Sequence, residues 1–339
     1  MLTGITGGNA YPFPDRCPVP TVLRYGALMN ILCVTPNVSM DRILSVSGFA
    51  AGDVCRARSV AVTCGGKGIN VARAVRRLGH RSTCAGFLGG NTGRLAAEAV
   101  RLEGLDATWT WVDGETRNCI TIVSDNGETT VVNEPGASVT DDDWYRLAAS
   151  VSKAVNCADA VCISGSLPPG VPDGGLEQLI QTAKDSRKPV WVDTSGDALA
   201  DAIGARPTGI KINAAEASWL MGEKVNSIAQ SIVIAEKIRN NGVEEVVVTQ
   251  AAEGAVMVCN EGTWCARPPT ISVVSAVGSG DCFLAGLMVG MLQEQEPAEA
   301  LRLAAAAGAA NALQVSTGEI DRVDLEHIHA KIRIEAVSS

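Results

Sequence analysis

Ser275-Ala276-Val277-Gly278-Ser279-Gly280-Asp281 is the stretch on which the reading of this chain turns. An extended segment, Thr270 to Val274, leads into it, and an apolar helix is predicted over Cys282 to Leu292. Small residues at 278, 279 and 280 let the backbone turn tightly and bring N–H groups close to a ligand. The helix start adds unpaired N–H donors and a partial positive charge, so such a turn gathers anions. Asp281 is then a candidate base beside an anion. The plainer alternative is a turn glycine followed by an N-cap aspartate.

Working outward, the composition sets bounds. With 339 residues, 46% hydrophobic and 19% charged, the chain suits one large domain or a domain with a lid. A net charge of -9 speaks against a general nucleic-acid binder. No run of ~18 uninterrupted apolar residues is present to span a membrane. Residues 1–28 lack the charged start and apolar run of a signal peptide and are rich in Gly, Pro and Thr. They read as a disordered or loosely attached arm, with the folded domain at 29–335. Eleven cysteines are scattered without a Cys-x-x-Cys pair, and Cys33, Cys84 and Cys162 sit in apolar strand-like runs. Free thiols in a reducing cytoplasm account for them. Of three histidines, His327 and His329 are two apart on a predicted helix, Val323 to Ile334, and face different ways. A histidine metal site is not expected.

Asn30 to Val34 reads as a buried strand ending at Thr35-Pro36-Asn37, with Asp41 just past its carboxyl end. Open α/β sheets place ligand contacts there; a turn aspartate is the alternative. Arg42 to Val46 and Ser59 to Thr63 alternate in polarity as half-solvated strands do. Cys64-Gly65-Gly66-Lys67-Gly68-Ile69-Asn70 forms a second glycine cluster before a helix that carries Arg73, Arg76 and Arg77 and stops at Gly79. The cluster is neither a P-loop nor a dinucleotide fingerprint. Lys67 and Asn70 exceed what a plain turn needs and can approach a polar ligand. Ser82 to Phe87 is a further strand, and Gly93 to Glu103 a helix. Three strand-like runs follow, Ala107 to Val112, Asn118 to Ser124 and Thr129 to Asn133, with turns at Gly114 and Asn126-Gly127. Together with residues 39–63, the block at 107–134 suggests a small β lid. Arg117 opens its middle run and can fork onto a phosphate or stand on a solvated rim.

From Thr140, which caps a helix opening Asp141-Asp142-Asp143, the pattern is βαβα. Strands at Ala160 to Ser164, Val190 to Asp193, Gly209 to Ile212 and Glu245 to Thr249 precede a hairpin at 255–265. The alanine-rich run Leu303 to Ala310 serves close helix packing. The strand ends carry Asp41, Ser166, Asp193, Asn213, Glu216 and Asp281, and in a doubly wound parallel sheet such ends converge on one edge. Phosphoryl transfer needs an anion hole, a metal held through oxygens, positive charge and a base. The glycine turn can supply the hole, Asp281 the base, and Asn213 with Glu216 oxygens for magnesium, through water. An ordinary helix start explains Asn-x-x-Glu equally.

In order, Gly-Gly-Lys-Gly-Ile-Asn-Val-Ala-Arg at 65–73, Gly-Glu-Thr-Arg-Asn-Cys at 114–119, Ser-Gly-Ser-Leu-Pro-Pro-Gly at 164–170, Asp-Thr-Ser-Gly at 193–196, Asn-x-x-Glu at 213–216 and Val-Gly-Ser-Gly-Asp at 277–281 resemble the PfkB (ribokinase-like) carbohydrate kinases. Within them the chain is most similar to the 1-phosphofructokinase and tagatose-6-phosphate kinase group. The resemblance implies a three-layer α/β sandwich with a β lid over the sugar, and Mg-ATP as donor. It assigns Asp281 as base and Gly278, Ser279 and Gly280 as the anion hole. Asp41, Gly66, Asn70 and Ser166 would contact the sugar, while Lys67 and Arg117 would reach the phosphate it already carries. Lys211, Asn213 and Glu216 would serve metal and triphosphate; Thr249, Glu253 and Gly254 would lie by the nucleotide. The chain departs from the family's usual pattern at Lys211-Ile212-Asn213, Thr249-Gln250-Ala251 and Ala276.

The expected function is ATP-dependent phosphorylation of the free primary hydroxyl of fructose 1-phosphate, tagatose 6-phosphate or fructose 6-phosphate, in the cytoplasm, by a possible homodimer paired through the lid. The alternatives are a ribokinase-like kinase of an unphosphorylated sugar or nucleoside, and a non-catalytic sugar-phosphate sensor.

Overall fold

The first strand, β1 (Asn30–Asn37), sets the architecture because its residues alternate between two separate cores. Ile31 and Cys33 enter one, Leu32 and Val34 the other. A strand buried on both faces shows a continuous apolar run rather than alternation, which is how this stretch reads. The structure, a computed structural model, describes residues 27–125 and 128–337. The expected arm therefore lies outside the described residues up to position 26, as does the Asn126-Gly127 turn; Met29 is already buried.

β2 (Ser39–Val46), β3 (Ala57–Gly65), α1 (Lys67–Arg77), β4 (Arg81–Gly89), α2 (Gly90–Leu102), β5 (Asp106–Val112), β6 (Arg117–Ser124) and β7 (Thr129–Asn133) follow. A regular alternation succeeds them: α3 (Asp141–Ala154), β8 (Ala160–Ser164), α4 (Gly175–Asp185), β9 (Val190–Asp193), α5 (Asp197–Ala205), β10 (Gly209–Asn213), α6 (Ala214–Met221), α7 (Ile228–Asn240) and β11 (Glu245–Thr249). The chain then runs through β12 (Ala255–Cys259), β13 (Gly262–Arg267), α8 (Ser279–Leu292), α9 (Pro297–Ala312), α10 (Arg322–His329) and β14 (Arg333–Val337).

The large sheet has the order β14-β13-β12-β11-β10-β9-β8-β1-β4-β5. Every pairing from β11 across to β5 is parallel, and β12, β13 and β14 add an antiparallel edge. One core lies against α1, α2, α8, α9 and α10, the other against α3 to α7. This is the expected three-layer, doubly wound sandwich. Strand order reverses between β1 and β8, so the ligand crevice opens at their carboxyl ends. The alanine-rich α9 packs closely on α8: a Cβ added at Gly286 would fall 2.9 Å from Ala304 Cα, and one at Gly290 2.7 Å from Ala300 Cα.

A second, four-stranded sheet has the order β3-β2-β6-β7. Three expectations are corrected. The run Ala107 to Val112 is not part of this small sheet; it is β5, paired with β4 from Thr83↔Asp106 to Gly89↔Val112 at the edge of the large one. Half-solvated edge strands share one period whichever sheet they belong to. The last helix stops at His329 instead of reaching Ile334, and the alternating tail becomes β14 on β13. Thr270 to Val274 forms no strand, although Val274 N–H donates to Ala312 C=O at 2.8 Å. Among the described residues all cysteines are free thiols, and no helix is long and apolar enough to cross a membrane.

Candidate active site

Helix α8 begins earlier than its apolar run suggested, so Ser279, Gly280 and Asp281 form its first turn. Gly278 caps it at φ 85, a left-handed conformation that favours glycine. A Cβ at Gly280 would fall 2.8 Å from Lys211 Nζ, so an ammonium group rests directly against this backbone. The first turn has N–H groups without preceding intrahelical carbonyls. Lys211 adds a full positive charge beside them.

Asp281 is buried, and its Oδ2 accepts a hydrogen bond from Asn70 Nδ2 at 2.8 Å. Burial pushes its carboxyl up to about 6, and the charge of Asp193 works in the same direction. Lys67, Lys211 and the Asn70 bond oppose the rise. Asp193 ends β9 with no exposed side-chain surface. Lys67 Nζ lies 2.7 Å from its Oδ1 and Lys211 Nζ 2.7 Å from its Oδ2. Burial alone would raise the Asp193 pKa; the two ammonium groups outweigh it and hold the carboxyl below its ordinary value. Lys67 also lies 3.4 Å from Glu216 Oε1. Burial disfavours its charge, but Asp193, Glu216 and Asp281 override this and raise its pKa.

Asn213 and Glu216 form a reciprocal capping box at the start of α6. Asn213 Oδ1 accepts from Ala215 N–H at 2.9 Å and Glu216 N–H at 3.0 Å, and Glu216 Oε2 accepts from Asn213 N–H at 2.8 Å. Asn213 Oδ1 therefore serves the cap in this structure. Among the described residues no group of three His, Cys, Asp or Glu side chains is placed to hold a metal ion. The Glu216 carboxylate remains, a donor set that fits magnesium carried on phosphate oxygens and water rather than a protein-built cage.

Asp41 lies just past the carboxyl end of β1, as expected, and is itself part of β2. Its Oδ1 accepts from Ser39 Oγ at 2.7 Å. Burial raises its pKa, against the pull of Ser39, Arg73 and Arg117. A Cβ at Gly65 would fall 2.1 Å from Asp41 Cγ, so the carboxyl lies on bare backbone. Gly66 adopts φ 116, and a Cβ there would meet Thr35 Cγ2 at 2.6 Å. Asn37 Nδ2 donates to Ser166 Oγ at 3.3 Å, joining the ends of β1 and β8 at the crevice. Arg117 Nε donates to Asn37 C=O at 3.2 Å.

Lys67 and Arg117, expected to reach the phosphate on the sugar, have different partners within the protein. Lys67 is held by Asp193 and Glu216, whereas Arg117 holds Asn37 and Glu134 carbonyls. Desolvated carboxylates bind the lysine more strongly than a distant partner can. On the nucleotide side Thr249 ends β11 opposite Asn213 in register, its Oγ1 3.4 Å from Ile212 C=O. Glu253 is exposed and Gly254 sits at φ 105. As sequence features, Asp193 is only a polar strand end and Arg73 one of three basic residues on a helix. Arg73 is buried, with its guanidinium on Asn70, Glu103 and the Cys64 carbonyl. A period of 3.6 does place it on the inner face of α1, but pairing with α2 is a tertiary fact.

A crevice with a charged carboxylate next to an anion-gathering helix start and two lysines suits the movement of an anionic group onto an alcohol, which is the chemistry of kinases. Residues 29–322 match the pfkB family of carbohydrate kinases, and the chain belongs to that family. It is 31% identical over 288 residues to 1-phosphofructokinase of Bacillus subtilis (strain 168), covering 85% of this chain and 94% of that one. Identity is also 31% over 307 residues to a tagatose-6-phosphate kinase of Staphylococcus epidermidis, covering 90% and 99%. The crystal structure of phosphofructokinase-2 from Escherichia coli in complex with potassium superposes with a TM-score of 0.83 at 28% identity, covering 90% and 99%. The protein is an enzyme, a sugar-phosphate kinase of the ribokinase-like fold.

Proposed function

We propose that the enzyme moves the γ-phosphoryl group of ATP onto the free primary hydroxyl of a ketohexose phosphate, giving the bisphosphate. Fructose 1-phosphate, tagatose 6-phosphate and fructose 6-phosphate all offer that hydroxyl with a phosphate at the far end. One observation carries the reading: a buried carboxyl, Asp281, raised to about 6 and oriented by Asn70 beside an anion-binding helix start. A base whose pKa lies just below neutrality is ionised at pH 7 yet accepts a proton readily.

Asp281 takes the proton of the primary hydroxyl as its oxygen bonds to the γ-phosphorus, and the bond from phosphorus to the ADP oxygen breaks. Gly278, Ser279 and Gly280 stabilise oxygens that gain charge during this transfer. Lys211 stands against Gly280 to neutralise the same oxygens, and Lys67 can exchange Asp193 for them. Asp41, Gly66, Asn70 and Ser166 orient the sugar, and Arg117 holds its phosphate. Thr249, Glu253 and Gly254 flank the nucleotide. Magnesium, when bound near Glu216 through water, neutralises triphosphate charge. The four-stranded sheet is the lid, and exposed Val60, Val62, Val131 and Val132 on its outer strands suit pairing with a second subunit. Free thiols suit a cytoplasmic setting.

The second reading is a kinase of an unphosphorylated sugar, favoured by the hold of Asp193 and Glu216 on Lys67, one of the two cations expected at the sugar's phosphate. ADP release measured with fructose 1-phosphate, fructose 6-phosphate, tagatose 6-phosphate and the matching free sugars separates the two. Turnover of a hexose phosphate, with its KM raised in Arg117→Ala, is expected. Faster turnover of a free sugar, with a KM indifferent to Arg117→Ala, would overturn the first reading.

A further inference from the structure

Arg73 is buried on α1 and its guanidinium reaches four residues at once. Its Nη1 donates to Asn70 Oδ1 at 2.9 Å, and its Nη2 to Cys64 C=O at 2.6 Å and Thr63 Oγ1 at 3.2 Å. Nε and Nη2 fork onto Glu103 at 2.6 and 2.8 Å. On its far side, the Asn70 amide donates to Asp281 Oδ2. An amide can be turned end for end, and only its neighbours decide which end faces a carboxylate. Arg73 can accept nothing, so Asn70 must present its oxygen there and its NH₂ to Asp281.

We propose that Arg73 is a positioning residue: it locks the Asn70 amide so that Asn70 donates to Asp281 Oδ2 and leaves Oδ1 as the oxygen that meets the substrate hydroxyl. Glu103 fixes the guanidinium in turn, so the relay Glu103–Arg73–Asn70–Asp281 runs from α2 through α1 to α8. The same guanidinium ties the end of β3, the last strand of the proposed lid before the Gly65-Gly66 turn, to the helix that holds Asn70. Without Arg73 the amide is free to rotate, and a carbonyl oxygen set against Oδ2 would repel the ionised base.

Every charged neighbour is accounted for. Facing Arg73 are Glu103, Asp41 on β2, Cys64 on β3, Cys84 on β4 and Cys282 on α8. Facing Asp281 are Asp193, Lys67 and Lys211. None of these can replace an oriented donor to Asn70 Oδ1: Lys67 and Lys211 are both held on Asp193.

The inference rests on Asp281 being the base, and its test separates the two. Steady-state kinetics with MgATP and whichever of fructose 1-phosphate, fructose 6-phosphate or tagatose 6-phosphate turns over best are compared for wild type, Arg73→Lys, Arg73→Met, Asn70→Ala, Asn70→Ala/Arg73→Lys and Asp281→Asn. Arg73→Lys keeps a cation beside Glu103 but loses the planar fork. It is expected to fold, to lower kcat about tenfold with KM for ATP unchanged, as loss of one charge-assisted hydrogen bond in the transition state implies. In the Asn70→Ala background the same change is expected to lower kcat no further, since the relay is already cut. Arg73→Met is expected to show a larger loss; should it not fold, Arg73→Lys decides alone. Wild-type kcat in folded Arg73→Lys, or an equal loss with and without Asn70, would overturn the positioning role. Activity retained in Asp281→Asn would instead overturn the base.

Discussion

Replacing Asp281 by Asn should make the enzyme more stable while removing its turnover. The carboxyl moves from 3.8 to about 6 on folding, which is about 3 kcal/mol between its neutral and charged forms. The sign follows from which state loses its proton first. Below 3.8 both folded and unfolded chains hold the proton, and the residue is neutral in each. As pH rises toward about 6, the unfolded chain ionises first, so the folded state loses stability; above that the loss is constant. Asn is neutral throughout, so Asp281→Asn is expected to exceed wild type by about 3 kcal/mol near pH 7 and about 1.5 kcal/mol near pH 5, with little gap at about pH 3.5. Denaturant unfolding of both proteins across this range measures the gap, and a coupled ADP assay measures turnover, expected to fall on the order of 10²–10⁴-fold. A gap of the same size at every pH, or a variant less stable than wild type near pH 7, would show that the carboxylate is well solvated and the raised pKa wrong. Near wild-type turnover would dismiss Asp281 as base.

Arg117→Ala is expected to raise KM for the hexose phosphate while leaving KM for ATP unchanged, read from initial rates with each substrate varied. Gly65→Ala keeps an ordinary backbone but drives a Cβ to 2.1 Å from Asp41 Cγ; the carboxyl must rotate away, so sugar KM rises while the unfolding midpoint hardly moves. An unchanged sugar KM there would detach Asp41 from the substrate. Ala251 sits at φ 47, in the left-handed region that favours glycine. Ala251→Gly relieves that strain against a loss of unfolded-chain restriction, a net gain of about 0.5–1 kcal/mol in denaturant unfolding.

Much of the fold was visible because a two-sided parallel sheet leaves a strong trace. The apolar run of β1, Gly79 after α1 and the regular βαβα alternation after Thr140 each match one physical cause, and Thr140 caps α3 as expected, through a reciprocal bond with Asp143. Local period reports which face is buried, not which sheet owns a strand, and so β5 was given to the lid and β14 to a helix. At the site, the glycines of the α8 turn were read correctly for their shape, while the side-chain partners were not. Lys67 looks available from its loop and motif; only the meeting of β9 with α1 shows that Asp193 holds it. Asn-x-x-Glu likewise carries two meanings in the sequence, and the structure shows the capping box among them.

Asp193 links these observations. One buried carboxylate on β9 faces two ammonium groups and holds both near the α8 helix start, where Lys211 stands against Gly280. Those two ammonium groups are the cations that an incoming polyphosphate would meet. Burial raises the Asp281 carboxyl first, and the same carboxylate adds like-charge repulsion, keeping the base near neutrality although two lysines would pull it down. An apolar residue at 193 would take from Lys211 its ion-pair partner, leave Lys67 with Glu216, and remove one of the two causes that raise the base, burial being the other. Placement of the two lysines and base strength are therefore linked through the one carboxylate where β9 ends.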